Sequence, residues 1–136
     1  MAKLSNKKVE IFYPTCNIDT LKDGRGGIFT WVPQDAIMEF NMLYFTPEAL
    51  RGNHNHPEFI EYSLIVEGSG VVITRDTPSK KERIIHVSKG SCIRTPKGIT
   101  HTMYAITNMT IIAMLTKPWD DCNVPIVKEE IFKNKK

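Results

Sequence analysis

RGNHNHPEFIE (residues 51–61) and GSCIRTPKGITH (residues 90–101) hold three of the four histidines of this 136-residue chain. On an extended strand residues two apart project to the same face, so His54 and His56 can present their imidazoles to one point. Glu61 falls on the next apolar run, FIEYSLIV, where Phe59, Glu61, Ser63 and Ile65 share a face. Gly68 in the EGSG turn then returns the chain. The second window is a strand, a Pro96-Lys97-Gly98 turn and a strand opening on His101, so the turn positions the histidine without itself coordinating anything. Three neutral imidazoles and a carboxylate, His54, His56, Glu61 and His101, make a good ligand set for one divalent transition metal. Iron, nickel, manganese and zinc all accept such donors.

Around these windows short apolar runs alternate with turn residues. Nine strands are expected, at 9–13, 28–32, 36–45, 59–66, 71–74, 83–87, 91–94, 102–106 and 109–115. They are separated by KDGRGG, TPEALRG, EGSG, DTPSKK, SKG and TPKG, the spacing of β-sandwiches and barrels. Helix is expected only at 129–136. The run AIMEFNMLYF does not alternate cleanly, which suggests a strand covered on both faces or one that changes sheet. His86, in RIIHV, has no partner spacing and reads as a surface or packing residue. Cys92 reads as a small buried hydrophobe.

The composition, 41% hydrophobic and 24% charged, is that of one globular domain. Net charge is +3, but residues 1–8 and 128–136 carry seven Lys against two Glu, leaving the body at −2. The expected division is a flexible segment 1–8, a barrel domain 9–127 and a basic, solvated tail 128–136. Without a cationic body, nucleic-acid binding is not expected. Cys16, Cys92 and Cys122 are odd in number and widely spaced, which fits a reducing cytoplasm better than a disulfide scaffold. No apolar run is long enough to span a membrane and no signal-like segment follows the N-terminus. A cytoplasmic protein is expected.

The two windows resemble the two motifs of the cupin superfamily. His54, His56, Glu61 and Gly68 match the first motif, whose leading Gly is here Glu48. Gly90, Pro96, Gly98 and His101 match the second, whose closing Asn is here Ala105. The resemblance covers roughly residues 36–115 and implies an all-β, single-domain cupin, the double-stranded β-helix or jelly-roll barrel.

A second resemblance concerns substrate. DGRGG (23–27) followed by RGNHNH (51–56) is similar to segments of dTDP-4-dehydrorhamnose 3,5-epimerases and of sugar-nucleotide 3,4-ketoisomerases. It implies an epimerase or isomerase of a keto sugar or nucleotide sugar in polysaccharide synthesis. His54 would be the catalytic base and His56 a second acid/base group, with Arg51 and Arg25 binding the diphosphate. Tyr44, Tyr62 and Tyr104 are candidates for a proton-returning phenol. An imidazole nitrogen bound to a metal cannot also collect a proton, so the two resemblances compete. The alternatives are a metal-dependent dioxygenase or lyase acting on a small acid, and a non-catalytic cupin that binds a metal or small molecule. Single-domain cupins resemble dimers that pair terminal strands, and VEIFYP near the N-terminus can supply one; a homodimer is expected.

Overall fold

The computed structural model describes residues 4–18 and 24–133. Among the described residues twelve strands form in chain order: β1 (Glu10–Phe12), β2 (Thr15–Ile18), β3 (Ile28–Thr30), β4 (Glu39–Phe45), β5 (Leu50–Asn55), β6 (Glu61–Glu67), β7 (Ser69–Arg75), β8 (Glu82–Ser88), β9 (Cys92–Thr95), β10 (Thr100–Ala105), β11 (Met109–Leu115) and β12 (Val127–Lys128). Two antiparallel five-stranded sheets run β1-β9-β6-β11-β4 and β12-β5-β10-β7-β8, and β2 and β3 pair separately. This is the all-β jelly-roll barrel expected from the sequence. No helix among the described residues is long and apolar enough to cross a membrane.

The pleat sorts the side chains. β11 alternates buried and half-buried positions along its whole length, so Met109, Ile111, Ala113 and Leu115 face inward. Met109 and Ile111 join Phe45, Ile65 and Ile93 from their own sheet and Val72, Val87 and Met103 from the other in one core. Full burial of such a side chain contributes about 1.5–3 kcal/mol.

On the outer face of the first sheet, Arg94 donates from Nε to Asp35 at 2.9 Å and from Nη1 to the Ser5 carbonyl at 2.7 Å, while the Tyr62 hydroxyl also donates to Asp35. This buried, paired charge straps residues 5–6 and 31–35 over the β9 and β6 half of that face. Asp35 is held below the usual carboxylate range by those donors, which outweigh its burial.

Several expectations change here. AIMEFNMLYF is not covered on both faces: β4 is the edge of its sheet, and its outward row is exposed. Residues 129–133 form no helix, and 134–136 of that expectation lie outside the described residues; the Glu129 amide donates to the Asn53 carbonyl, and the Asn53 side chain accepts from the amides of Ile131 and Phe132 and donates to the Phe132 carbonyl. Residues 127–132 therefore lie along β5. VEIFYP contributes β1, which pairs with β9 of its own chain.

Two backbone features shape the first window. Gly52, at φ +133°, lets β5 pass so close to β10 that a Cβ would stand 2.5 Å from the Thr102 Cα. Glu48, where the cupin motif has Gly, keeps a left-handed φ of 69°.

Candidate functional site

The strand register assembles the site. His101 on β10 lies opposite His54 on β5, with a bulge after His101 that re-aims the strand. His56 follows β5 and Glu61 opens β6 on the facing sheet. The three imidazoles close to centroid separations of 4.7 Å (54–56), 4.9 Å (54–101) and 5.4 Å (56–101). One ring nitrogen of each lies within 4.8 Å of the others. They line a cavity of about 340 Å³ between the sheets, together with Glu61 and Arg51. Five of the six residues singled out in the sequence thus meet in one place.

Arg25 does not line this cavity. It is exposed between β2 and β3, and the stretch that follows it carries Phe29 and Trp31 to a groove over Leu64 and Val66, on the opposite face of β6 from Glu61 and Ser63. Asp23 of the same motif lies outside the described residues. None of the tyrosine candidates lines the cavity either: Tyr44 faces outward, Tyr62 binds Asp35, and Tyr104 packs edge-on to Phe132. His86 is exposed, as expected. The cavity also takes residues the sequence reading did not assign. Asn41, Leu43 and Phe45 come from β4, and Trp119 and Ile126 from the loop after β11. Only the alternation along β4 could have indicated its inward row; nothing in the sequence signals Trp119.

Each imidazole spends one nitrogen on a backbone carbonyl. His56 Nδ1 is 2.9 Å from the Pro125 oxygen, His101 Nδ1 is 3.0 Å from the Ile99 oxygen, and His54 bonds the Gly52 carbonyl. A carbonyl only accepts, so the ring nitrogen must donate, leaving its other nitrogen with a free lone pair. His56 also stacks on Phe59 at 4.5 Å and meets Trp119 edge-on, which fixes its plane.

Burial, reinforced by the neighbouring histidines and the Arg51 charge, drives His54 down to about 3. Burial likewise lowers His56, against the pull of Glu61 and the Pro125 bond, and lowers His101. At neutral pH the site therefore presents three uncharged rings. Burial pushes Glu61 the other way, above the ordinary carboxylate range, and His56 only partly opposes it. Glu61 Oε1 stands 3.6 Å from His101 Nε2, too far for a hydrogen bond. Chemically the arrangement offers three converging acceptors in an apolar pocket, with one guanidinium at its mouth.

A family model described as the polysaccharide biosynthesis C-terminal domain matches residues 21–122. No match is found among curated proteins. The fold is similar to that of a 3,4-ketoisomerase from Helicobacter canadensis (13% identity, 90% of this chain and 92% of that one, TM-score 0.74). It is also similar to ChmJ, a 3'-monoepimerase from Streptomyces bikiniensis in complex with dTDP-quinovose (19% identity, 87% and 68%, TM-score 0.72). The capsular polysaccharide assembling protein CapF from Staphylococcus aureus is a third (23% identity, 88% and 33%, TM-score 0.63), of which this chain spans about a third.

These neighbours correct one expectation. The epimerases and ketoisomerases of this barrel act without a metal cofactor, which overturns the expected divalent transition metal. Glu61, the expected fourth ligand, lines the same cavity 3.6 Å from His101 Nε2 but is not among the three nitrogens that lie within 4.8 Å of one another.

Proposed function

Since the chain belongs to the polysaccharide biosynthesis C-terminal domain family, we propose that it is an epimerase or isomerase of a keto sugar carried on a nucleoside diphosphate. The observation that carries this reading is the convergence of three imidazoles, each with its N–H committed to a backbone carbonyl and its lone pair free. Removing a proton from carbon beside a ketone needs a neutral base in a pocket that excludes water, and returning it on another face or carbon needs a second group in reach.

His54 takes the proton. Its pKa is depressed chiefly by burial and by the neighbouring histidines, and a diphosphate on Arg51 would relieve the smaller share that comes from that guanidinium. The proton passes from His54 to the free nitrogen of His56, whose ring is 4.7 Å away and held by Phe59 and the Pro125 carbonyl, and His56 gives it back to the substrate, so both rings end neutral. No phenol among the described residues lines the cavity to do so instead. Ser63, on the inward face of β6, can donate to the developing oxyanion. Arg51 grips the diphosphate through its planar fork. The dioxygenase or lyase alternative rested on the metal and is dropped with it.

The test is incubation with a dTDP-4-keto-6-deoxyhexose in D2O, followed by NMR. Deuterium should enter at the carbon beside the ketone, with His54→Gln slowing entry by about 10²–10⁴-fold, the usual worth of a general base. Tight binding of the nucleotide sugar with no exchange would mean a non-catalytic binding protein and refute the proposal.

A further inference from the structure

His56 is tied differently from the other two rings. His101 bonds the Ile99 carbonyl and His54 the Gly52 carbonyl, each two residues back along the chain, so those bonds come with the local backbone. The acceptor for His56 Nδ1 is the Pro125 carbonyl, 69 residues on, at 2.9 Å. Ring and backbone are placed without it: Phe59 stacks on the imidazole, and the Gly98 amide donates to the His56 carbonyl. What Pro125 adds is the choice of which ring nitrogen carries the proton.

Pro125 is followed by β12, which has two residues and pairs only with Asn55 and His54 at the edge of the second sheet. The chain is fastened beyond that short strand, at two points. At the first, the Asn53 carbonyl accepts from the Glu129 amide, and its side chain accepts from Ile131 and Phe132 and donates to the Phe132 carbonyl, all at 2.8–3.0 Å. Asn53 holds a left-handed φ of 55°, which Asn tolerates better than most side chains. At the second, the Glu129 carboxylate accepts from the hydroxyl of Thr100, the residue before His101, and from Arg75 at 2.9 Å, two residues that are register partners on β10 and β7. Asn53, Thr100 and Arg75 alternate with the inward residues of their strands, and neither they nor Glu129 line the cavity.

We propose that Asn53 and Glu129 are positioning residues for His56: by fastening residues 127–132 to the outer face of the second sheet, they keep the Pro125 carbonyl against Nδ1. The proton is thereby fixed on Nδ1, and Nε2 keeps its lone pair. An imidazole in water without such an acceptor favours the Nε2–H form. In that form the nitrogen that must receive the proton from His54 is already occupied, and the return step stalls. The tautomer stands on geometry alone; its consequence for turnover rests on the isomerase reading.

The test is long-range ¹H–¹⁵N NMR of the imidazoles in the 136-residue chain at neutral pH, paired with deuterium entry from D2O into a dTDP-4-keto-6-deoxyhexose. In wild type His56 should carry its proton on Nδ1. Asn53→Gly removes the side-chain bonds and suits the left-handed φ; Glu129→Ala removes the second fastening. Singly in part and together in full, they should move the His56 proton to Nε2, and the single variants carry the test if the double variant does not fold. His101, whose acceptor is local, should stay Nδ1–H throughout. In the double variant kcat should fall about tenfold with KM changed less than about twofold, the worth of one lost hydrogen bond acting through the ring. Lys128→Ala, an exposed side chain of the same segment, should change neither reading. A wild-type His56 protonated on Nε2, or one that stays Nδ1–H in every folded variant, would overturn the proposal, as would a switched tautomer with unchanged kcat. A tautomer switch in a protein that exchanges no deuterium would instead fail the isomerase reading and support the positioning role.

Discussion

Acidification from pH 8 to pH 5 should cost this protein stability through its buried imidazoles, and replacing His54 should abolish a measurable share of that cost. His54 sits at about 3 in the fold against 6.5 in an unfolded chain. Between those values the unfolded chain binds a proton that the folded one refuses. The contribution is therefore absent above pH 6.5 and grows unfavourable as pH falls, continuing toward 3. Integrated to pH 5, a shift of this size is worth about 2 kcal/mol, or about 1–2 kcal/mol once solvent around the partly buried ring is allowed for. His56 and His101, also lowered, act in the same sense. Glu61 acts oppositely: its raised pKa stabilises the fold below the ordinary carboxylate value, and that gain is lost as pH rises through the folded value. These other groups are common to wild type and variant, so the difference isolates His54. The assay is urea unfolding of wild type and His54→Gln at pH 8 and pH 5. The loss on acidification should be smaller in the variant by about 1–2 kcal/mol. Equal losses in the two proteins would show that His54 is not held neutral, and the account of a lone-pair site would fail.

Gly52→Ala should destabilise by about 2 kcal/mol or more, read as a drop in Tm, because its Cβ would press on the Thr102 Cα and, at 2.7 Å, the His101 carbonyl. Arg51→Ala should raise KM for a nucleotide sugar about 10–100-fold, the worth of a charge-assisted bond, with kcat changed far less. Cys92, buried and pushed up to about 12, should stay unmodified by a thiol reagent at pH 8 in peptide mapping of the folded protein and react once it is unfolded.

Local pattern carried the barrel. Period-two alternation and turn chemistry marked most of its strands, and the spacing of His54, His56, Glu61 and His101 named the side chains that share a pocket. β2, β5 and β12 were not among the nine: strands of four and two residues carry no periodicity of their own, and β5 begins inside TPEALRG, which reads as a turn. Of the helix expected at 129–136, the described residues 129–133 form none: Asn53, 78 residues before Ile131, holds that segment along β5 through bonds to Glu129, Ile131 and Phe132. Tyr44 and Arg25 were candidates by resemblance alone, and the fold turns one outward and keeps the other away from the cavity.

What the amino-acid order determined by itself is what repeats or pairs over short distances: the strand periodicity, the turns, and a histidine pair two residues apart on one face. Only the tertiary structure decided which groups face those histidines. The register of β5 against β10 set His101 beside His54, and the loop after β11 brought the Pro125 carbonyl to His56 and Trp119 to the cavity. Protonation state followed from the same step. An imidazole is neutral here because burial and neighbouring cations make its charge costly, and both are properties of the assembled barrel rather than of any stretch of chain.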